Sequence, residues 1–416
     1  MGTLDTKGDL VAYLCQALIA RHCRPTVIDV GVMAPAEDIA DVPASAVAAA
    51  AGRPLADLSS AGDRGQAMAV MSDGAVAIVA RLHRHGDIEA IVGIGGSGGS
   101  TIASRAMRAL PFGFPKVLVS TFASGDTRPY IGASDITMVN PIADLAGLNH
   151  MTRHALETAA GAVVGMLAGG PRAERDRPAV AASMFGVTTR AVDAARGVID
   201  GCGYETLVFH ATGTGGLAME AAIDEGMVDG SLDLTTTELA DELVGGVLSA
   251  GPHRLEAAGR AGIPQAVSVG ALDMVNFGPR PSVPERFADR TLHEHNASVT
   301  LMRTSVEECR QLGAILAAKL NAARGPTALF LPLGGLSDID RPGRPFHSPA
   351  ADRALFDSIR TTVGPSIELI ESDANAGDPE MGVAMATWLA AHLTAAPKKI
   401  AESAASGASG ASGARS

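Results

Sequence analysis

The chain has 416 residues, 33 basic against 45 acidic for a formal net charge of −12 at pH 7, and it is 47% hydrophobic but only 3% aromatic. That length suits two domains of ordinary size with cores packed by Ala, Val and Ile, and the acidic balance excludes direct nucleic-acid binding, which draws on clustered Lys and Arg. No apolar run approaches the roughly 20 residues of a membrane helix, and the scattered Cys15, Cys23, Cys202 and Cys309 form no CxxC pair, so free thiols, no zinc, no membrane and a cytoplasmic location are expected.

Residues 2–8 read GTLDTKG, the turn that leaves a strand for a helix, yet almost nothing precedes them. A first strand is therefore expected to be absent or to lie upstream of Met1. Met71, Ala75, Ile78, Val79 and Leu82 recur at three- and four-residue spacing, which predicts an amphipathic helix. Runs at 90–94, 116–121 and 136–139 predict strands, the first followed by a glycine cluster and helical spacing through Leu110. Strand, glycine turn, helix, strand is the pattern of right-handed βαβ units and a parallel sheet. The stretch GGPRAERDRP at 169–178 has mixed charge and no apolar period. It predicts a linker at 171–178 between a nucleotide-binding domain at 1–170 and a second α/β domain at 179–396. Beyond it, strands are predicted at 180–185, 206–211, 265–272, 298–302, 328–333 and 367–370. A tail at 397–416, with its Ala-Ser-Gly repeats, is expected to be disordered.

The turn at 93–101 places Gly95, Gly96, Ser97, Gly98, Gly99 and Ser100 between a strand and a helix. Glycines let the backbone approach a ligand, and free N–H groups with the helix dipole favour an anion, so the turn is a candidate phosphate cradle. Gly93, Gly95 and Gly98 fit GxGxxG, but the next strand ends in Ser120 and Thr121 without the carboxylate that binds ribose, which disfavours NAD. No Lys-Ser or Lys-Thr follows the glycines, so the Walker A pattern also fails. Two more polar turns accompany this one, Thr3, Asp5, Thr6 and Lys7 in the first and Thr121, Ser124, Gly125, Asp126 and Thr127 in the third. At the carboxyl edge of one sheet they would offer amides, one ammonium group, and Asp5 and Asp126 as magnesium ligands. The alternatives are a glycine turn that serves helix packing, a solvated Lys7, and Asp5 or Asp126 as helix caps.

The second half carries another glycine turn at 210–216, Asp273 and Asn276 near a strand end, and His293, Glu294, His295 and Asn296 just before a strand. Ser337, Asp338, Asp340 and His347, then Asp373, Asn375 and Asp378, follow later strands. His210, Asp273, His293, His295 and Asn296 are the candidate catalytic residues, able to supply a base, its orienting partner and an oxyanion donor if they converge. His293 and His295 are equally candidate metal ligands, and Asn and Asp also fix turns by bonding their own backbone.

The segments GTLDTKG (2–8), VGIGGSGGS (92–100), ALPFGFPKVLVST (109–121), ASGDT (123–127), VSVGALDMVNFGP (267–279), HNASVTLMRT (295–304) and PLGGLSDIDRPGRPFHSP (332–349) occur in one order. Together they make the chain resemble the Tm-one-like family, the ATP-binding N-terminal region of a tomato mosaic virus resistance protein with its bacterial and fungal homologues. The resemblance runs from Gly2 to about Leu393. It implies two Rossmann-like domains with mostly parallel sheets, ATP with magnesium in the first, and a homo-oligomer. Carried onto this chain, it puts the nucleotide contacts within 3–7, 95–100 and 121–127. Some relatives carry a C-terminal barrel domain that this chain lacks, so a separate barrel-domain protein is a candidate partner. The function expected is that of an ATP-binding metabolic enzyme, or enzyme component, acting on a small metabolite. The alternatives are an ATP-dependent binding or regulatory module without turnover, and a hydrolase or acyl transferase centred on the second domain.

Overall fold

The structure is a computed structural model and describes residues 1–34, 39–61, 63–169 and 176–393. The expected tail and most of the expected linker, residues 171–175, lie outside the described residues. The chain divides into two compact units, Met1–Glu174 and Arg175–Ser416. Both are α/β.

In the first unit β1 (Ile91–Gly95), β2 (Lys116–Ser120) and β3 (Thr137–Val139) pair in parallel in that order. Three extended segments continue the sheet beyond β1. The Met1 amine donates to Val92 O at 2.9 Å, and Ile94 N donates back to Met1 O. Gly2 N donates to Ile28 O, Val30 N donates to Gly2 O, and Gly2 bridges Asp29 in the parallel sense. Asp29 N donates to Val42 O, Val42 N donates to Val27 O, and Ile28 bridges Val42 in the parallel sense. The order across the sheet is therefore 42, 27–30, 1–2, β1, β2, β3, which counted along the chain is third, second, first, fourth, fifth, sixth. The position of the first strand, expected to be empty, is held by Met1 and Gly2.

The helices of this unit are α1 (Leu4–Ile19), α2 (Ala44–Ala50), α3 (Leu55–Ala61), α4 (Arg64–His85), α5 (Ser97–Arg108), α6 (Arg128–Ile131) and α7 (His150–Ala168). Alternate side chains of a strand face opposite sides, and β2 shows it. Val117 and Val119 pack with Leu10, Leu14 and Leu156 of α1 and α7, whereas Leu118 packs with Val47, Met71 and Met107 of α2, α4 and α5. Of the stripe predicted for α4, Met71, Ala75, Ile78 and Val79 are buried.

The second unit has six parallel strands, β4 (Ala179–Met184), β5 (Glu205–His210), β6 (Gly230–Thr235), β7 (Gln265–Gly270), β11 (Thr327–Pro332) and β12 (Glu368–Ser372). Their order, β12-β11-β7-β6-β4-β5, reverses at the unit's first strand, as the order of the first unit does, but places one strand rather than two beyond it. An antiparallel sheet of β8 (Met274–Phe277), β9 (Leu292–Asn296) and β10 (Val299–Arg303), ordered β8-β10-β9, follows β7. The helices are α8 (Thr189–Gly201), α9 (Thr214–Asp224), α10 (Glu238–Val244), α11 (Ala257–Ala261), α12 (Val306–Asn321), α13 (Pro349–Thr362) and α14 (Pro379–His392). β6, β8 and β9 are absent from the sequence prediction. In β6, Ser231 and Asp233 interrupt the apolar run, yet the whole strand is buried. No described helix is long and apolar enough to cross a membrane.

Candidate functional site

Where the strand order of an open parallel sheet reverses, the flanking turns part and leave a crevice at the carboxyl ends of the strands. In the first unit the reversal falls between Met1–Gly2 and β1. A cleft of ≈560 Å³ lies there, between the turns at 3–7, 30–33 and 96–99 and the start of α4. Buried Asp29 joins two of these turns, because its Oδ1 accepts from Leu4 N at 3.0 Å and Gly31 N at 2.8 Å. Burial pushes the Asp29 carboxyl above its usual range, opposed by those two amides.

The glycine loop is shaped by how closely α5 follows β1. A β-carbon on Gly95 would stand 2.3 Å from Ser100 N, so only glycine fits. Ser100 is fully buried, donates to Gly95 O at 3.0 Å, and shares a 2.7 Å bond with Ser120 Oγ. Gly95 and Ser100 thus build the loop from behind, whereas Gly96, Ser97, Gly98 and Gly99 line the cleft. No side chain caps α5, and the amides of Ser97, Gly98 and Gly99 have no backbone acceptor among the described residues. Such amides are ready donors for an anion.

Thr3, Asp5, Thr6 and Lys7 also line the cleft. Thr3 and Thr6 share a hydroxyl bond of 2.9 Å, and Lys7 leaves helical geometry at φ −133°. The third turn contributes little. Thr121 Oγ1 comes within 4.0 Å of where a Gly96 β-carbon would be, and Ser124, Gly125, Asp126 and Thr127 lie outside the lining. The structure adds residues that no motif announced, among them Met33, Leu58, Met68 and Met71 as an apolar wall and Arg64 at the first position of α4. A β-carbon on Gly98 would lie 3.7 Å from an Arg64 guanidinium nitrogen and 3.7 Å from the Met68 sulfur, which puts the guanidinium over the loop.

Lys7 and Arg64 have no ion-pair partner among the described residues, whereas Arg105 pairs with Asp73, Lys116 with Asp135, and Arg128 with Asp126. The carboxylates are committed. Asp5 Oδ2 accepts from Val32 N and Met33 N at 3.1 Å each, and Asp63 caps α4 by accepting from Gln66 N. Both oxygens of Asp126 bond Arg128, which holds that carboxyl below its usual range. Among the described residues no three His, Cys, Asp or Glu side chains converge on a metal position. The donor set fits a polyphosphate and does not fit a magnesium ion held by Asp5 and Asp126.

The second unit closes the equivalent places with its own side chains. At its reversal point, between β4 and β6, Ser183 Oγ donates to Asp233 Oδ1 and the Thr188 and Thr235 hydroxyls bond each other, each at 2.7 Å. The glycine turn before α9 is filled by Glu238, whose Oε1 accepts from Gly213 N at 2.7 Å and Gly216 N at 3.0 Å. Glu238 is itself paired at 2.6 Å with fully buried Arg254, which also bonds Asp233. Burial raises the Glu238 carboxyl above its usual range, against the pull of Arg254.

The convergence expected of His210, Asp273, His293, His295 and Asn296 is corrected by the topology. His210 ends edge strand β5, its ring 5.6 Å from that of Phe185. Asp273 follows β7, three strands away, and is fully buried with Ser337 Oγ donating to it at 2.7 Å. Burial pushes the Asp273 carboxyl up to about 7, with Arg303 opposing and Asp340 adding to the rise. His293, His295 and Asn296 lie on β9, in the antiparallel sheet, where Asn296 Oδ1 accepts from Ser298 N to shape the hairpin. The His293 ring lies 6.3 Å from that of Phe346, in the turn after β11, and among the described residues no hydrogen bond joins any two of the five.

These features define a protein of two doubly wound α/β units with an open, cation-lined cleft at the reversal point of the first. Residues 1–171 match the N-terminal domain, and residues 177–393 the C-terminal domain, of the uncharacterised protein family UPF0261. The chain belongs to this family. A UPF0261 protein of Clostridium tetani is 49% identical over 388 residues, 93% of this chain and 96% of that protein. One from Rhizobium meliloti is 44% identical, covering 88% and 91%. The ToMV resistance protein Tm-1(GCR237) of Solanum lycopersicum is 43% identical over 70% of this chain but only 40% of its own length, in keeping with the resemblance read from the motifs.

Proposed function

We propose that the first unit binds ATP in the cleft between the turns at 3–7 and 96–99, as a nucleotide-dependent binding module. The observation that carries this reading is the presence in one cleft of Lys7 and Arg64, two cations without carboxylate partners among the described residues, together with the open amides of Ser97, Gly98 and Gly99. Phosphates held there meet point charge, a forked guanidinium and a helix N-terminus together, and the apolar wall gives the base a place to lie. Magnesium comes with the phosphates as the metal of the ATP complex, since the nearby carboxylates are committed to amides or to Arg128. Phosphoryl transfer to a small metabolite, the enzymatic alternative, requires a base beside the phosphates. Asp5 and Asp63 already cap backbone amides, so the geometry favours holding ATP over consuming it. Calorimetric titration tests this. ATP and a nonhydrolysable analogue should bind alike, and Lys7→Ala should weaken both by about tenfold or more. Absence of saturable binding, or steady ATP hydrolysis by the purified chain, overturns the reading.

A further inference from the structure

The same cleft has two parts of different chemistry, and they differ in what they can recognise. At the loop are Lys7, Arg64, the hydroxyls of Thr3, Thr6 and Ser97, and the amides of α5. The rest of the wall consists of Met33, Leu58, Ala67, Met71 and Ile102, with the Met68 sulfur reaching the loop beside Arg64. The polar side chains among these apolar groups are turned to the protein's own backbone. Ser59 Oγ donates to Leu55 O and Ala56 O, Asp63 Oδ1 accepts from Gln66 N, and Asp5 Oδ2 accepts from Val32 N and Met33 N. A base against this wall meets mostly thioether and aliphatic surface, which adapts to shape, and the polar side chains described among it, Ser59, Asp63 and Asp5, each bond the protein's own backbone.

We infer that Arg64 is the specificity-determining residue of the site, which reads the number of phosphates and accepts adenine and guanine bases alike. This rests on the reading of the cleft as a nucleotide site and goes beyond it in naming what is discriminated. The Arg64 guanidinium lies 3.7 Å from where a Gly98 β-carbon would be, so a phosphate laid on the amides of the loop comes within its reach. A site built to hydrogen-bond a base rejects analogues by large factors, whereas an apolar pocket separates them weakly. Charge-assisted forked bonds to terminal phosphate oxygens are strong and are lost when those phosphates are missing.

The experiment is calorimetric titration of the whole chain with ATP, GTP, ADP and AMP in matched magnesium, repeated on Arg64→Ala and Arg64→Lys. Arg64 is exposed and unpaired among the described residues, so both variants should melt with the wild type. ATP and GTP should bind within about tenfold of each other, AMP more than about tenfold weaker, and Arg64→Ala should shrink the ATP-to-AMP ratio by about tenfold. Arg64→Lys, which keeps the charge without the fork, should fall between. If GTP binds far more weakly than ATP, or if Arg64→Ala weakens ATP and AMP equally, the inference is wrong while the nucleotide site stands. If no nucleotide binds the wild type, the site reading itself falls, and the inference with it.

Discussion

Gly95 and Gly98, three positions apart in one glycine cluster, do different work. A side chain on Gly95 runs into the backbone of Ser100 at 2.3 Å, whereas a methyl on Gly98 meets nothing nearer than 3.7 Å. Gly95→Ala should therefore cost stability, on the order of 1–3 kcal/mol, measurable in thermal melts. Gly98→Ala should leave the melt nearly unchanged and weaken ATP binding, because its methyl projects between the loop and Arg64. Equal effects of the two substitutions on stability would contradict this division. The motif marks both glycines and Ser100 as ligand residues. Sequence spacing locates the loop but does not say which side of it faces solvent, and the buried Ser100–Ser120 bond joins the first turn of α5 to the end of β2. Arg64 belongs to no motif, since its place over Gly98 depends on how α4 crosses the sheet.

The comparison of α5 with α9 makes the same point for elements. Both helices follow a strand through a glycine turn, and both N-termini carry unsatisfied amides in sequence terms. At α5 those amides remain open. At α9 the chain supplies its own anion, Glu238, from the first position of α10, 25 residues after Gly213. Removing it by Glu238→Ala leaves Arg254 short of one carboxylate and frees two amides, a loss on the order of 3–5 kcal/mol for a broken buried pair. Urea unfolding measures it. Added sulfate should restore more stability to Glu238→Ala than to the wild type by entering the vacated position beside Arg254, and an equal gain in both would show that the turn is no anion seat. β6 was illegible for a related reason. Ser231 and Asp233 look like loop residues until Ser231 pairs with Ala181 and Gln265 in the sheet and Asp233 meets Arg254 and Ser183.

Across the whole molecule, charge is distributed unevenly. Asp241, Asp273 and Asp352, all in the second unit, have carboxyls raised from 3.8 to about 7, in each case chiefly by burial. A carboxyl whose pKa is higher folded than unfolded binds more protons in the folded state between those values. The second unit should therefore lose stability as pH rises from about 4 to about 7, and the loss should persist above that. Trp388, the single tryptophan, lies in α14 and reports on this unit. Its thermal unfolding should move to lower temperature between about pH 4 and about pH 7, and Asp352→Asn should flatten the slope. A transition that rises over that range would contradict the assignment.

The alternation of strand and helix, the division into two α/β halves and the positions of the glycine turns were legible from residue patterns alone. They follow from short-range rules, the period of apolar residues and the backbone freedom of glycine. The winding of each sheet was not legible, nor was the choice of which turns share a crevice. Nor did the patterns distinguish amides that stay open from those already met by a carboxylate. Those outcomes depend on contacts between residues far apart in the chain, such as Asp29 with Leu4 or Glu238 with Gly213, and a local pattern carries no information about such partners until packing brings them together.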